Sequence, residues 1–172
     1  MRPALLLHCV ALAFAIGGAA ACDSAGSKDP DYYFCPDDAC KDRVVEQIDR
    51  ATTTIVSAVF TFTHYDIAQA MARAVSERGV QVWVVVEKNQ LDAGLGAFLT
   101  SRGVGFRTDT NPQLMHHKFT VIDDHTVLTG SFNYTNQADQ KNDENLVILY
   151  DREGARRFFD EFQELWDSAE DF

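Results

Sequence analysis

Apolar and polar positions follow two different periods along the first half of the chain. Residues 52–62 are rich in β-branched and aromatic side chains, which is typical of a strand. Residues 66–78 carry apolar side chains at helical spacing, and Gly79 predicts the end of that helix. Residues 80–87 form a continuous apolar run, as in a strand buried on both faces. This order predicts a βαβ crossover, and so an α/β fold with a mostly parallel mixed sheet and helices on both faces.

The remaining pattern predicts further elements of the same domain. Helices are predicted at residues 42–50, 91–102, 134–140 and 154–169, and strands at residues 104–107, 117–122, 126–128 and 145–150. No segment is repeated, and 172 residues fit one domain with a short leader. We therefore expect one folded domain over residues 32–172, preceded by a flexible tether of Ser, Gly, Lys, Pro and Asp at residues 22–31.

The first 21 residues have the composition of a signal peptide. Arg2 precedes an apolar run at residues 4–16, which is short for a membrane span, and small residues at 19–21 precede Cys22. The end of this leader also resembles a bacterial lipoprotein box, although Ala19 stands where such boxes usually carry Leu. Cleavage before Cys22 is expected in either case. An extracytoplasmic protein is predicted, either secreted or attached to a membrane through a lipid on Cys22.

The overall charge restricts the partners of the protein. The formal net charge is −11, from 15 Lys and Arg against 26 Asp and Glu. Because nonspecific nucleic-acid binding needs Lys and Arg to neutralise phosphates, this balance disfavours a broad surface that wraps DNA. It does not exclude a small phosphate site, and its usual meaning is solubility.

Two cysteines of the expected mature chain form a natural pair. Cys9 leaves with the leader, and Cys22 is the candidate for lipid attachment, so Cys35 and Cys40 remain. In an oxidising compartment these two are expected to form a disulfide. A zinc site is the alternative, but no further cysteine or closely spaced histidine pair completes four ligands.

The chemistry is concentrated in the second half of the chain. His116 directly precedes the strand predicted at residues 117–122, and because residues two apart share a face of a strand, His116 and Lys118 are expected to project together. An imidazole can attack a phosphodiester while a neighbouring ammonium stabilises the charge on its oxygens. The turn at Gly130, Ser131 and Asn133 precedes a predicted short helix. Backbone N–H groups at such a turn can bind an anion, which makes Gly130 a candidate substrate-binding residue.

These residues have the spacing of a known signature. His116-x-Lys118-x-x-x-x-Asp123 followed by Gly130-Ser131-x-Asn133 resembles the HKD signature of the phospholipase D superfamily. Residues 35–40, 57–63 and 78–82 are similar to the short members with a single motif, which include bacterial endonucleases and mitochondrial cardiolipin hydrolase-like proteins. The resemblance covers residues 32–166, and it implies a phospholipase D-like fold and phosphodiester hydrolysis.

The resemblance also implies a role for each residue of the signature. His116 would be the nucleophile that forms a phosphohistidine intermediate. Lys118 and Asn133 would hold phosphate oxygens, with the help of Ser131. Glu144 matches a family glutamate that orients the histidine, as a third group orients the base in a catalytic triad.

Three other side chains receive weaker assignments. Asp123 completes the signature, but strand parity places it opposite His116, so a supporting role is expected. His64 follows the end of a predicted strand and is a candidate for lining the substrate groove. His117 faces away from its neighbours and is predicted to be structural.

The family reaction needs two histidines, one to attack and one to protonate the leaving oxygen, whereas this chain carries a single motif. The resemblance implies a homodimer with the active site at its two-fold interface, and no metal or other cofactor. The leading hypothesis is a metal-independent phosphodiesterase, with an extracytoplasmic nuclease as the first candidate. A phospholipase D acting on phospholipid head groups is the alternative within the class. A non-catalytic envelope protein that keeps the fold for binding is the alternative from another class.

Overall fold

Within residues 28–172, which the computed structural model describes, eight strands form one sheet. The strands are β1 Asp31–Cys35, β2 Thr54–Val59, β3 Gln81–Val86, β4 Gly105–Thr108, β5 Lys118–Ile122, β6 Thr126–Gly130, β7 Glu144–Tyr150 and β8 Glu170–Asp171. The helices are α1 Cys40–Arg50, α2 Tyr65–Arg78, α3 Ala93–Ser101, α4 Asn136–Gln140 and α5 Arg152–Ser168, and a 3₁₀ turn spans Lys88–Gln90. The predicted signal peptide, Cys22 and the tether up to residue 27 lie outside the described residues.

The strand order is β1-β7-β6-β5-β2-β3-β4-β8, and the sheet is mixed. Only the pairs β2–β3 and β3–β4 of these strands are parallel, and the five other pairs are antiparallel. The predicted mixed α/β sheet is confirmed, but the expectation of mostly parallel strands is wrong. The reason lies in the connections, because β5 and β6 are joined by a short turn, which links only antiparallel strands.

Helices cover both faces of the sheet, as predicted. Alternate residues of β2 supply two separate cores. Ile55 and Val59 pack under α1, α2 and α3, whereas Val56 and Ala58 pack under α5. Because both faces are covered, nearly all of β2 is buried, and its backbone offers a rigid support for the residues at its ends.

Local signals set the helix boundaries. Gly79 ends α2 in the left-handed conformation, at φ 69°, as predicted from the sequence. The Asp151 carboxylate caps α5 by accepting hydrogen bonds from the N–H groups of Glu153 and Gly154. A disulfide between Cys35 and Cys40 joins the end of β1 to the start of α1. No helix of the described residues combines the length and apolar character that crossing a membrane requires.

The pairing directions bring several strand ends to one edge of the sheet. β2 and β3 end there, and β6 ends there because it runs antiparallel to β5. β5 and β7 begin at the same edge, since they run antiparallel to β2 and β6. The segments that carry the predicted site residues therefore meet at this edge, which we call the site edge.

Candidate active site

One aromatic ring contacts both members of the predicted catalytic pair. The imidazole of His116 lies 4.5 Å from the ring of Phe60, centroid to centroid, and the Nζ atom of Lys118 lies 4.8 Å from the same centroid. Phe60 directly follows β2, and its N–H donates to the carbonyl of His117 at 2.8 Å. The end of β2 thus fixes the start of β5, and with it the positions of the imidazole and the ammonium.

The ammonium of Lys118 is held without an ion pair of its own among the described residues. Its Nζ atom donates to the carbonyl oxygen of His116 at 2.9 Å. Partial burial lowers the pKa of Lys118 below its usual value, and the negative charge of Glu144 acts in the opposite direction. The lysine therefore keeps a charge that no carboxylate neutralises by direct contact, which suits the binding of a phosphate oxygen.

Asn133 is oriented by the segment that follows β2. Its Oδ1 atom accepts a hydrogen bond from the N–H of Thr61 at 3.2 Å, and the N–H of Tyr134 donates to the carbonyl of Thr61 at 3.1 Å. This arrangement directs the side-chain carbonyl of Asn133 towards the protein. The Nδ2 group is left as a donor for an anion.

Ser131 and Glu144 lie at the site edge on the other side of β5 from β2, because Ser131 follows β6 and Glu144 begins β7. The hydroxyl of Ser131 donates to Oε2 of Glu144 and accepts from the N–H of Asn145 at 3.1 Å. The other carboxylate oxygen, Oε1, accepts from Nδ2 of Asn142 at 2.9 Å. Glu144 is thus bound to Ser131 and Asn142, and no hydrogen bond joins it to His116 within the described chain.

Gly130 allows the chain to pass close to a neighbouring strand. Its φ is 147°, and a Cβ atom at this position would lie 2.2 Å from the carbonyl oxygen of Asn145. The N–H groups of Ser131 and Phe132 donate to that same carbonyl. The expectation that this turn offers free N–H groups to an anion is therefore wrong for these two groups. In addition, α4 begins only at Asn136, beyond the turn.

The comparison with known protein families agrees with this geometry. Residues 44–166 match the family model described as "Cardiolipin synthase, PLD-like domain". This span covers most of the chain and contains both predicted motifs. The chain belongs to the phospholipase D superfamily.

Individual relatives within the superfamily extend the comparison. A mitochondrial cardiolipin hydrolase from Xenopus tropicalis is 37% identical over 131 residues, which are 75% of this chain and 62% of the relative. A phospholipase D from Rickettsia prowazekii is 31% identical over 127 residues, with coverage of 73% and 62%. This chain therefore spans about three fifths of the length of these two relatives.

Solved structures agree in fold. A phospholipase D family member, Nuc from Salmonella typhimurium, superposes with a TM-score of 0.77 at 31% identity, covering 84% of this chain and 99% of that one. NucT from Helicobacter pylori has a TM-score of 0.75 at 22% identity, with coverage of 84% and 99%, and shows the likeness of fold alone. The predicted phospholipase D-like domain is thus confirmed.

The aspartate of the superfamily signature lies at the other end of β5. Asp123 occupies the turn between β5 and β6, and its carboxylate accepts hydrogen bonds from the N–H groups of Thr52, Thr53 and Thr54. Burial by itself would raise the pKa of Asp123, but these hydrogen bonds outweigh it and hold the pKa below its usual value. Asp123 ties the turn to the start of β2 and does not join the catalytic group, in line with the supporting role expected from strand parity.

Two other histidines have carboxylate neighbours on helices. His64 is 4% exposed, its Nε2 atom lies 4.0 Å from Oδ2 of Asp139, and burial lowers its pKa. His64 directly precedes α2, and its role in lining the substrate groove stays a prediction. His117 projects toward α5, where its Nε2 atom lies 3.1 Å from Oε1 of Glu161. Its predicted orientation away from His116 is confirmed.

Three residues at the site edge were not identified from the sequence. Phe60 and Thr61 lie at the end of an apolar strand, where nothing distinguishes them from core residues. Glu87 is a buried carboxylate at the end of β3 that accepts the N–H of Met115. A charged residue that ends a long apolar run was the available signal for Glu87, because such residues are rarely buried without a specific partner.

Proposed function

We propose that the protein is a metal-independent phosphodiesterase whose nucleophile is His116. The observation that carries this proposal is the placement of an imidazole and an unneutralised ammonium on one aromatic ring, Phe60, at the site edge. In this mechanism an imidazole nitrogen of His116 attacks the phosphorus, and the bond from phosphorus to the leaving oxygen breaks. Lys118 and Asn133 stabilise the non-bridging oxygens.

The covalent intermediate is a phosphohistidine on His116. A water molecule then attacks the same phosphorus, the nitrogen–phosphorus bond breaks, and the product is a phosphomonoester. To test this step, the enzyme is mixed with a diester substrate and denatured rapidly, and acid-sensitive phosphate bound to the protein is measured. The His116→Ala variant is the control and should carry no such phosphate. Activity toward bis(p-nitrophenyl) phosphate in the presence of a chelator tests the absence of a metal requirement.

The leaving oxygen requires a proton, and we assign this proton to a second copy of His116 in a two-fold dimer. One imidazole is then neutral and attacks, while the other is protonated and donates to the leaving oxygen. Mixing wild-type subunits with an excess of His116→Ala subunits tests the shared site. Activity should fall with the square of the wild-type fraction. A linear fall, or a fully active monomer in light scattering, would contradict the dimer.

Nucleic acid is the first candidate substrate, because the sequence resembles short bacterial endonucleases of the superfamily. Phospholipid is the second, since curated relatives at 31–37% identity are named cardiolipin hydrolase or phospholipase D, and a net charge of −11 opposes the binding of long polyanions. Single-stranded DNA, duplex DNA and cardiolipin vesicles, each incubated with the enzyme and a chelator, distinguish the candidates. Cleavage of lipid alone would make phospholipid the first candidate substrate. If no diester were cleaved, a non-catalytic envelope protein would be favoured.

An extracytoplasmic location completes the proposal. It is supported by the sequence of the leader, and a lipid on Cys22 would place the domain at a membrane surface through the tether. Metabolic labelling with a radioactive fatty acid tests the anchor, because label should enter the wild type and not the Cys22→Ala variant. Recovery of the wild-type protein from the cytoplasmic fraction would contradict this location.

A further inference from the structure

A fully buried carboxylate lies immediately behind the segment that carries His116. Glu87 follows β3 and has 0% exposure. One of its oxygens, Oε1, accepts from the N–H of Asn89 at 3.1 Å and from the Nδ2 group of Asn89 at 2.8 Å. The other, Oε2, accepts from the N–H of Met115 at 2.9 Å. Burial opposes the charged form, but the hydrogen bonds from Met115 and Asn89 hold the pKa of Glu87 below its usual value.

The position of Met115 gives this contact its importance. Met115 directly precedes His116, and its side chain is 2% exposed. The residue on the other side, His117, is fixed through its carbonyl by the N–H of Phe60. The backbone of His116 is therefore held between two hydrogen bonds, one to the end of β3 and one to the end of β2.

The preceding loop is attached to the same strand end. The N–H of Asp109 donates to the carbonyl of Val86 at 2.9 Å, and Nζ of Lys88 donates to the carbonyl of Asn111 at 2.9 Å. The loop between β4 and β5 is thus bound to the end of β3 at Asp109 and Asn111. Its third contact there, between Met115 and Glu87, directly precedes His116.

We propose that Glu87 is a positioning residue, which sets the backbone of His116 so that its imidazole meets the phosphorus in line. The proposal rests on the phosphodiesterase function proposed above. A carboxylate is required because donors approach both oxygens, and an amide offers only one acceptor and would direct its own N–H group at a donor. Misplacement of a nucleophile by about 1 Å can cost on the order of 10²-fold in rate.

The test compares Glu87→Gln with the wild type on bis(p-nitrophenyl) phosphate. We expect kcat to fall by about 10²-fold with a much smaller change in KM, because Asn133 is untouched and Lys118 keeps its contact with the Phe60 ring. Asn89→Ala is the matched control, since it removes a donor from Oε1 but keeps the contact with Met115, and it should retain the wild-type kcat. A wild-type kcat in Glu87→Gln, or an equal loss in Asn89→Ala, would overturn the proposal.

Two measurements keep the test independent of activity and of folding. The ring signals of His116 in NMR spectra should shift, and the Met115 amide should exchange faster, in Glu87→Gln but not in Asn89→Ala. Unchanged signals in Glu87→Gln would refute the positioning role, whether or not the wild type is active. A wild type that cleaves no diester would contradict the phosphodiesterase proposal and would leave this NMR test of Glu87 valid. If Glu87→Gln does not fold, Glu87→Asp takes its place, and a wild-type kcat in that variant with unchanged His116 signals would equally refute the role.

Discussion

The ammonium of Lys118 donates a hydrogen bond to the backbone carbonyl of His116, with 2.9 Å between Nζ and O. A lysine has three N–H donors, so this bond uses one and leaves two for a ligand. An ion pair with a carboxylate would fix the side chain equally well but would neutralise its charge. Anchoring by a neutral carbonyl and the ring of Phe60 therefore orients the lysine while it stays attractive to a phosphate.

The two adjacent histidines provide the most direct test of the nucleophile. His116 contacts Phe60 at the site edge, whereas His117 points to Glu161 on α5. We expect His116→Ala to lose at least about 10⁴-fold in kcat, as is typical when a nucleophile is removed, and His117→Ala to keep its activity. Hydrolysis of a chromogenic diester measures both. Comparable losses in the two variants would show that the segment, and not the imidazole of His116, is what matters.

The pH dependence of the rate tests the role of Lys118. If its charged form is required, the rate falls as the pH rises through the pKa of Lys118, which burial places below the usual value. Glu144 raises that pKa, so Glu144→Gln should move the alkaline limb of the kcat profile to lower pH. The single amide oxygen can keep the hydrogen bond from Ser131, while the one from Asn142 is lost.

Glu161→Gln is the control for this measurement. It also removes one negative charge, but on the α5 side of the sheet beside His117. Its alkaline limb should coincide with that of the wild type. A shift of the limb in Glu144→Gln toward higher pH, or an equal shift in both variants, would argue against the electrostatic coupling of Glu144 and Lys118.

The proximity of His116 and Lys118 was predictable because it depends on local periodicity. Residues two apart in a strand share a face, which places His116 and Lys118 together and His117 on the other side. The parallel neighbours β2 and β3 followed in the same way from the short βαβ order. In each case the sequence separation is small, and the geometry of one element or one crossover determines the outcome.

The remaining features depend on contacts between distant segments. Asp123 is bound by the N–H groups of Thr53 and Thr54, about 70 residues earlier in the chain. The close approach of Gly130 to Asn145 follows from the register of β6 and β7. Likewise, the antiparallel pairing of β5 with β2 depends on the arrangement of the whole sheet. Periodicity within one element carries no information about such partners.

Asp123 should contribute to stability and not to the chemical step. Asp123→Asn keeps the shape of the side chain but replaces the charged carboxylate that accepts several N–H hydrogen bonds. We expect a loss of about 1–3 kcal/mol in the free energy of unfolding. Because the turn lies at the far end of β5, kcat should be retained below the melting temperature. Asp124→Asn is the matched control, since its partners Arg152 and His125 are exposed, and it should change stability by less than about 1 kcal/mol.

The stabilisation by Asp123 should also depend on pH. Its pKa is lower in the folded protein than its ordinary value of about 3.9. The contribution is therefore complete above that value and is lost as the pH falls through the folded pKa. Urea unfolding at neutral pH and near pH 3 should show a smaller difference between wild type and Asp123→Asn at the lower pH. A difference that stays constant would mean that the loss of an acceptor oxygen, and not the loss of charge, destabilises the Asp123→Asn variant.

Two glycines with positive φ separate backbone strain from steric conflict. At Gly79, with φ 69°, a Cβ atom would have nothing within 4 Å, whereas at Gly130, with φ 147°, a Cβ atom would lie 2.2 Å from the carbonyl oxygen of Asn145. Gly79→Ala should therefore cost about 1 kcal/mol, the strain alone. Gly130→Ala should cost more than about 3 kcal/mol, because the contact adds to a strained backbone.

The same pair of variants connects the turn to the active site. To relieve the contact, β6 must move away from Asn145, which carries the hydrogen bonds of Ser131. Ser131 in turn is bound to Glu144. We expect kcat to fall in Gly130→Ala and to stay at the wild-type level in Gly79→Ala, measured well below both melting temperatures. Equal destabilisation of the two variants would contradict the predicted steric conflict at Gly130. Full activity in Gly130→Ala would show that the site tolerates separation of β6 from β7.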